Sequence, residues 1–247
     1  MEELAERKKQ QMLKLVTKSF FNELLKFGVD KNDLVTVSVY LLDHVTDQGD
    51  HFSASEDYYN ELFRVTEVRE DKGGDALQYQ NVVLRPVGKE HLGQLSDWLN
   101  ADEVKKTYIG FFPKDTNNLQ DYLIHDKSRH YFSICQDNDF VGIIGAENID
   151  RENLKLEMKK FVHTAYSDKG IGKKATFLFL YYVFRLLNFN KVYIYTMDTN
   201  LKNINLNAKF GFELTGIHFQ DVRIDGNFYD VLKMSLIRSR WDKIFTK

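Results

Sequence analysis

The sequence predicts an α+β fold, and three observations lead to that class. Segments of alternating apolar and polar residues flank the turn sequence Asp137-Asn138-Asp139, which indicates an antiparallel hairpin. A second pair of such segments flanks Asp225-Gly226, a strong signal for another hairpin. Between the hairpins lies a strand–loop–helix–strand unit, whose nearly all-apolar helix covers residues 170–187.

The individual elements follow from the spacing of apolar residues. Alternation predicts strands at 82–86, 131–136, 140–149, 154–165, 191–196, 219–224 and 228–236. Apolar residues three and four apart predict helices at 89–99, 116–125, 170–187 and 204–210. Gly211 follows the last of these as a helix stop. We expect the aromatic residues of 177–184 and the single cysteine, Cys135, to lie in the core.

The composition excludes several classes of protein. The chain has 247 residues, of which 43% are hydrophobic and 28% charged, so it is globular rather than disordered. The net charge of −2 argues against a nucleic-acid binder, whose domain would be strongly basic. One cysteine excludes an intramolecular disulfide, and the seven histidines show no close metal spacing, so we expect no metal.

The N-terminal residues 1–11 are charged and lack the apolar stretch of a signal peptide. The longest apolar run, residues 175–187, contains Arg185 and is shorter than the roughly 20 residues that span a bilayer. We therefore expect a cytoplasmic protein without a membrane partner.

A charged, glycine-containing turn at residues 71–75 predicts a boundary between an N-terminal region, 1–75, and a larger domain, 76–247. In the N-terminal region, helical spacing extends to Phe27 and Gly28 follows as a stop. Residues 35–41 alternate as a strand, and residues 61–69 are a further candidate strand. The sequence thus predicts an additional N-terminal α/β region, whose role it does not assign.

Residues 40–75 carry ten acidic and three basic side chains, a net charge of −7. One interpretation is a solvated acidic surface. The other is steering of a cationic substrate or partner toward the protein.

The most informative segment is the loop at residues 162–174. A strand leads into Gly170-Ile171-Gly172, which begins a helix whose first N–H groups lack internal partners. Such a turn binds anions, and glycines let a phosphate approach the backbone closely. Residues 155–174 contain six lysines against two acidic residues, which suits a pyrophosphate. The Walker A and Rossmann patterns are absent, and a tight turn with close helix packing is the alternative.

This loop resembles that of the GNAT N-acetyltransferase superfamily, in which it cradles the pyrophosphate of acetyl-CoA. Val162, His163, Tyr166 and Lys169-Gly170-Ile171-Gly172 match the family sequence, whereas Ser167 replaces its usual Arg or Gln. The resemblance covers about residues 80–240. It implies a GNAT-like mixed, mostly antiparallel sheet flanked by helices.

Further matches follow in the family's order. Asn200 to Asn203 and Lys209 to Phe212 look like its Asn-x-x-Ser and Lys-Leu-Gly-Phe segments. The opening Val83 to Pro86 and the ending Val222 to Leu236 resemble the RimJ/RimL-like branch. The resemblance implies transfer of an acetyl group from acetyl-CoA to a primary amine, either a small amine or a protein N-terminus. The acidic segment at residues 40–75 favours a cationic acceptor.

The resemblance also implies the cofactor contacts. They comprise the splayed strand before the loop, the loop itself and the start of the following short helix. By position these are Phe161, Val162, His163, Ser167, Asp168, Lys169, Gly170, Ile171, Gly172, Lys173, Asn200 and Asn203.

Two residues are the catalytic candidates. Glu157 aligns with an acidic residue of the branch and is our candidate general base; the alternative is a surface Glu paired with Lys155 or Lys159. Asn207 stands where many relatives have a tyrosine that protonates the leaving thiolate. An amide cannot supply that proton, although it can hydrogen-bond the sulfur, so water or Tyr166 is left as the acid.

Other functions remain open at this point. The chain could instead be a non-catalytic acyl-CoA-binding protein whose N-terminal region docks a partner. Transfer of a longer acyl group is a further alternative, which pocket size decides. The sequence leaves the oligomeric state open, a homodimer included.

Overall fold

The computed structural model divides the chain into two units, Met1–Glu56 and Asp57–Lys247. It describes residues 58–71, 76–101, 104, 112–167 and 169–245, together with part of residues 6–39. The acidic segment therefore lies largely outside the described residues. Residues 58–71, which we had grouped with the N-terminal region, are part of the second unit.

In the first unit, the described residues between 6 and 25 are helical, and Gly28 ends the helix with a φ of +76°. The strand predicted at residues 35–41 is wrong, because the described residues 33–39 form a helix. The reason is reciprocal capping: Asp33 N donates to Asp30 Oδ1 over 3.0 Å, and Asp30 N donates to Asp33 Oδ2 over 3.1 Å. This cap overrides the strand propensity of the valines that follow.

The described residues of the second unit form one nine-stranded sheet with the order β1-β2-β3-β4-β5-β6-β7-β9-β8. Every neighbouring pair is antiparallel except β6 and β7, which confirms the predicted mixed, mostly antiparallel sheet. The strands are β1 (Arg69–Glu70), β2 (Leu77–Tyr79), β3 (Val82–Pro86), β4 (His130–Gln136), β5 (Asp139–Asp150), β6 (Lys155–Val162), β7 (Lys191–Met197), β8 (Glu213–Ile224) and β9 (Asn227–Ile237).

The helices whose bounds the structure describes cover both faces of the sheet. They are α1 (Leu92–Asn100), α2 (Thr116–Gln120, extended by a π-helical turn Asp121–His125), α3 (Ile171–Tyr181, extended by a π-helical turn Tyr182–Leu186), α4 (Leu201–Ala208) and α5 (Arg238–Phe245). The sequence did not predict α5, β1 or β2. The strand predicted at residues 61–69 is largely wrong, because short 3₁₀ turns occupy Tyr59–Glu61 and Val65–Glu67. In the described part of the chain, no helix is both long and apolar enough to cross a membrane.

Both predicted hairpins are confirmed, and their turns explain them. Asp137 and Asn138 have φ values of 50° and 77°, and Asp225 and Gly226 have values of 49° and 86°. Positive φ at both central residues is what a type I′ turn requires, and its twist matches that of the strands. The local sequence therefore fixes the pairing of β4 with β5 and of β8 with β9.

The core on the α3 face of the sheet is aromatic. Phe177 is fully buried, and its ring lies 4.8–5.7 Å from the ring centroids of Phe63, Tyr79, Trp241 and Phe245. These partners come from the segment before β1, from β2 and from α5, so the core joins both ends of the unit. The prediction that the aromatic run lies in the core is confirmed for Phe177, Phe179 and Phe184, whereas Tyr181 and Tyr182 are only half-buried. Cys135 is buried as expected.

The opposite face of the sheet is covered by α1 and α2. Their buried leucines pack with apolar residues of β4, β5 and β6 in one cluster, which includes Leu92, Leu95, Leu99, Leu119, Leu123, Tyr131, Ile143 and Phe161. The sheet is thus buried on both sides around β5.

The functionally important irregularity is the short parallel pairing of β6 and β7. It comprises three residue pairs and ends at Glu157 and Tyr193. Beyond that point β6 continues to Val162 alongside β5, and β7 continues to Met197 alongside β9. The two strands therefore diverge and leave a wedge in the middle of the sheet, which confirms the splayed strand expected before the loop.

The aromatic core gives a test of the fold. We expect Phe177→Ala to lower the free energy of unfolding by about 3–5 kcal/mol, because it leaves a cavity among four rings. The same substitution at Phe228, which is 59% exposed, should change it by less than about 0.5 kcal/mol. Denaturant unfolding of both variants measures the difference, and equal losses would contradict this description of the core.

Candidate functional site

The wedge between β6 and β7 opens into a cavity of about 560 Å³. Residues from β6, β7, α4 and the loop before α3 line it. The structure brings ten predicted site residues together there: Phe161, Val162, Ser167, Gly170, Ile171, Gly172, Lys173, Asn200, Asn203 and Asn207. Glu157, His163 and Lys169 lie beside the cavity rather than among its lining residues, and Asp168 falls outside the described residues.

The start of α3 forms a cradle at one end of the cavity. Gly170 is the N-cap residue with a φ of +75°, and among the described residues no side-chain cap is present at this N-terminus. A Cβ at Gly170 would meet nothing within 4 Å, and one at Gly172 would approach only Lys160 Nζ, at 4.0 Å. The space beside these two glycines is therefore open, which would let a phosphate group approach the backbone at the start of the helix.

Lysines near the cradle have different orientations. Lys173 lines the cavity, with Nζ 5.2 Å from the centroid of the Tyr59 ring. Lys174 instead donates to Asn81 Oδ1 over 2.8 Å, toward the β2–β3 turn. Lys169 Nζ lies 5.2 Å from the centroid of the Tyr166 ring. Among the lysines of the loop, Lys173 is therefore the one that lines the cavity.

The backbone of β6 corrects one expectation. His163 N donates to Val141 O over 3.0 Å, so its N–H is occupied by β5. Successive residues of a strand direct their backbone groups to opposite edges. Phe161 therefore also directs its N–H and C=O toward β5, and Val162 and Lys160 direct theirs into the wedge. The backbone groups that face the wedge are therefore those of these even-numbered residues and not those of Phe161 or His163.

The side chain of His163 also turns away from the cavity. Its ring stacks on Trp98 of α1 with centroids 4.4 Å apart, and Nδ1 accepts a hydrogen bond from Ala165 N over 3.4 Å. This histidine supports the loop by packing.

Three asparagines connect α4 to the cavity. Asn200 Oδ1 caps the helix by accepting from Asn203 N over 3.2 Å, and Asn203 Nδ2 donates to Thr196 Oγ1 over 3.2 Å. Asn207 Nδ2 donates to Asn203 O and Oδ1 over 2.8 and 3.1 Å.

Asn207 lines the cavity, and its Oδ1 is buried with no hydrogen-bond partner among the described residues. Because both neighbours of Nδ2 are acceptors, the orientation of the amide is fixed. The atom of Asn207 that has no partner there is therefore an acceptor, and not the donor that a hydrogen bond to a sulfur atom would need.

Two buried carboxylates face each other where the wedge begins. Glu147 of β5 pairs in register with Glu157 of β6, and they are 6% and 3% exposed. Lys159 Nζ lies between them, 2.5 Å from Glu147 Oε2 and 3.7 Å from Glu157 Oε1. Asn148, in a bulge with a φ of +48°, donates from Nδ2 to Glu157 Oε2 over 2.8 Å. Glu157 is therefore a buried residue and not the surface Glu of the alternative interpretation.

The environments of the two carboxyl groups differ. Burial raises the pKa of Glu157, and its single lysine contact does not offset this. Burial also raises the pKa of Glu147, but hydrogen bonds from the lysine and two phenols outweigh it and leave that pKa below its usual value. Burial, together with the nearby Glu157 charge, raises the pKa of Tyr193 to about 12. Glu157 is the carboxylate that more readily takes up a proton.

The sequence analysis missed Glu147 and its partners. Tyr131 OH donates to Glu147 Oε1 over 2.5 Å, Tyr122 OH donates to the same oxygen, and Arg129 Nε lies 3.6 Å away. The signal was present, since Glu147 is an acidic residue within an otherwise apolar strand. A charge in such a position is almost always paired.

Comparison with known proteins agrees with this geometry. Residues 81–213 match the acetyltransferase (GNAT) domain family. The chain is 25% identical over 166 residues to a spermidine N(1)-acetyltransferase of Escherichia coli K12, covering 65% of this chain and 88% of the relative. It is 24% identical over 166 residues to an uncharacterized prophage-derived N-acetyltransferase of Bacillus subtilis, covering 66% and 93%.

Solved structures show the same fold. The crystal structure of spermidine N-acetyltransferase from Vibrio cholerae in complex with CoA and spermine superposes with a TM-score of 0.61. It is 20% identical and covers 65% of this chain and 98% of that chain.

The cradle gives a test that uses two equivalent glycines. We expect Gly170→Glu to weaken CoA binding by roughly 100-fold or more, because it brings a like charge to a phosphate site. Gly226→Glu is the matched control, since Gly226 has a φ of +86° and open space around its Cβ but lies in the β8–β9 turn. Calorimetric titration with CoA measures both variants, and unchanged affinity in Gly170→Glu would rule out the cradle.

Proposed function

The chain belongs to the GNAT acetyltransferase family and is an acetyl-CoA-dependent N-acetyltransferase, and we propose which residues bind the cofactor, which residue is the general base and which amine is the acceptor. One observation carries the proposal: the wedge begins at Glu157, a buried carboxylate with a raised pKa, and leads to the glycine cradle. A candidate base thus lies where the wedge begins, beside the cavity that contains the candidate anion site.

We assign the cofactor contacts as follows. The N–H groups at Gly170 to Lys173 hold the pyrophosphate, and the Lys173 ammonium adds a positive charge. The backbone of Val162 and the unpaired Asn207 Oδ1 hold the pantetheine arm, whose amide N–H groups are donors. Bound acetyl-CoA supplies an acetyl group activated as a thioester.

Glu157 acts as the general base that removes a proton from the acceptor ammonium, through water where it does not reach the amine itself. Only its ionised form accepts a proton, so activity falls as the pH drops through its raised pKa. Glu147 stays ionised and holds Lys159 in place, 2.5 Å from its Oε2. The two carboxylates therefore have different roles because their environments differ.

The leaving thiolate must take its proton from a group other than Asn207, because the free atom of that residue is an acceptor. Two phenols line the cavity, Tyr166 by the cradle and Tyr195 on β7. Tyr195 lies two residues beyond Tyr193, where the parallel pairing ends. We favour Tyr195 or water over Tyr166 as the acid.

We propose a polyamine as the acceptor. The support comes from relatives whose names specify spermidine and from the carboxylate pair at the wedge, to which a cationic amine is attracted. Membership of the RimJ/RimL-like branch also stays a proposal, supported by Val83 to Pro86 on β3 and Val222 to Leu236 on the last hairpin. A docking role for residues 1–75 and a homodimer stay predictions.

Thiol release with acetyl-CoA and a panel of amines tests the acceptor. We expect kcat/KM for spermidine to exceed that for ethanolamine by roughly 10-fold or more, since a second ammonium group adds attraction. A peptide with a free N-terminus distinguishes protein acetylation. CoA binding without turnover on any amine would contradict catalysis and favour the acyl-CoA-binding alternative.

The general base has its own test. We expect Glu157→Gln to lower kcat by about 100-fold or more, with little change in CoA affinity, because the neutral amide cannot take a proton. The acidic limb of the pH–rate profile should disappear in this variant. Glu152→Gln, in the exposed turn after β5, is the matched control. If the pH–rate profile of Glu157→Gln keeps its acidic limb, the general base is a different residue.

A further inference from the structure

Lys160 lies beneath the cradle, on the face of β6 that α3 covers. Its Nζ donates to Thr176 Oγ1 over 2.7 Å and approaches Gly172 O at 3.5 Å, and the residue lines the cavity. Its neighbour Lys159 points to the opposite face, as alternation along a strand requires. The ammonium therefore lies directly behind the first turn of the helix.

The partners of this ammonium are neutral. A hydroxyl and a carbonyl contact it, and no carboxylate of the described residues forms an ion pair with it. Taking a cation out of water is costly unless an opposite charge compensates it. Desolvation accordingly lowers the pKa of Lys160 to about 8. Lys159, by contrast, has Glu147 within 2.5 Å. An anion that enters the cavity would supply the opposite charge that the Lys160 ammonium lacks.

The cradle places such an anion close by. Lys160 Nζ lies 4.0 Å from the position that a Cβ of Gly172 would occupy, so no side chain at that position shields it from the cavity. The first turn of α3, which has no side-chain cap among the described residues, and the open space at Gly170 form the other side of the same region. The Lys160 ammonium and the backbone N–H groups of the first turn of α3 can therefore interact with the same phosphate group.

We propose that Lys160 is the partly buried counter-charge of the cofactor pyrophosphate and contributes to affinity through the phosphates alone. This proposal rests on the proposed function, because it takes CoA as the ligand of the cavity. The alternative is a structural lysine that ties β6 to α3 through Thr176. The two roles predict different results for a variant that lacks the Lys160 ammonium. A counter-charge affects only ligands that carry phosphates and leaves the stability of the free protein equal or higher, whereas a structural tie affects every ligand and its loss lowers that stability.

The test compares Lys160→Met with wild type using two probes, CoA and pantetheine, which has the same thiol arm but lacks the phosphates and the adenosine. We expect the Kd for CoA to rise roughly 10- to 100-fold, as for the loss of a charged contact, and the Kd for pantetheine to stay unchanged. Calorimetry measures CoA, and an NMR titration measures the weaker pantetheine complex. Lys155→Met, on the same strand and paired with Asp150, is the control that should change neither value.

Thermal unfolding of the ligand-free variant separates the two roles. Removing a partly buried cation that has only neutral partners should leave Tm equal or higher, whereas loss of a structural tie would lower it. Equal losses for CoA and pantetheine, an unchanged Kd for CoA, or a lower Tm would overturn the proposal. Lys160→Gln repeats the measurement if the Met variant does not fold. A wild-type protein that binds neither probe would refute the proposed function itself.

Discussion

The structure depends on one constraint: β6 and β7 are parallel. Parallel neighbours cannot be joined by a tight turn, so the chain must cross over the sheet, and α3 is that crossover. A crossover helix begins close to the end of the strand before it, which brings its N-terminus to the end of β6. The parallel pairing lasts for three residue pairs, and the divergence that follows opens the sheet at that end. The wedge and the cradle therefore both follow from the parallel pairing of β6 with β7.

The alternation of β6 sorts its charges onto two faces. Glu157 and Lys159 point to the side of Glu147 and the α1–α2 layer, and Lys160 points to α3. The first face contains a charge network in which the lysine is matched by two carboxylates. The second contains a cation with neutral partners next to an anion site. One strand thus carries the proposed proton-transfer group on one face and the proposed phosphate contact on the other.

Features set by local sequence could be predicted. The turns at Asp137-Asn138 and Asp225-Gly226 specify hairpins by their own φ preferences, and Gly170 specifies the loop for the same reason. Features set by long-range register could not be predicted. The meeting of Glu147 with Glu157 requires the pairing of β5 with β6 and the bulge at Asn148. The orientation of the Asn207 amide depends on its hydrogen bonds to Asn203 of α4, which the sequence alone does not show.

The segment before β1 determines how small this folding unit can be. Phe63 stacks on Phe177, and Tyr59 N donates to Lys209 O, although both lie ahead of the glycine-containing turn that resembles a domain boundary. β1 and β2 also cover the outer edge of β3. A chain that began at residue 76 would keep β2 but would lose β1 and that aromatic cover, leaving β2 as a short open edge over an incomplete core. Unprotected strand edges pair with other chains, so we expect residues 58–71 to protect the fold from aggregation.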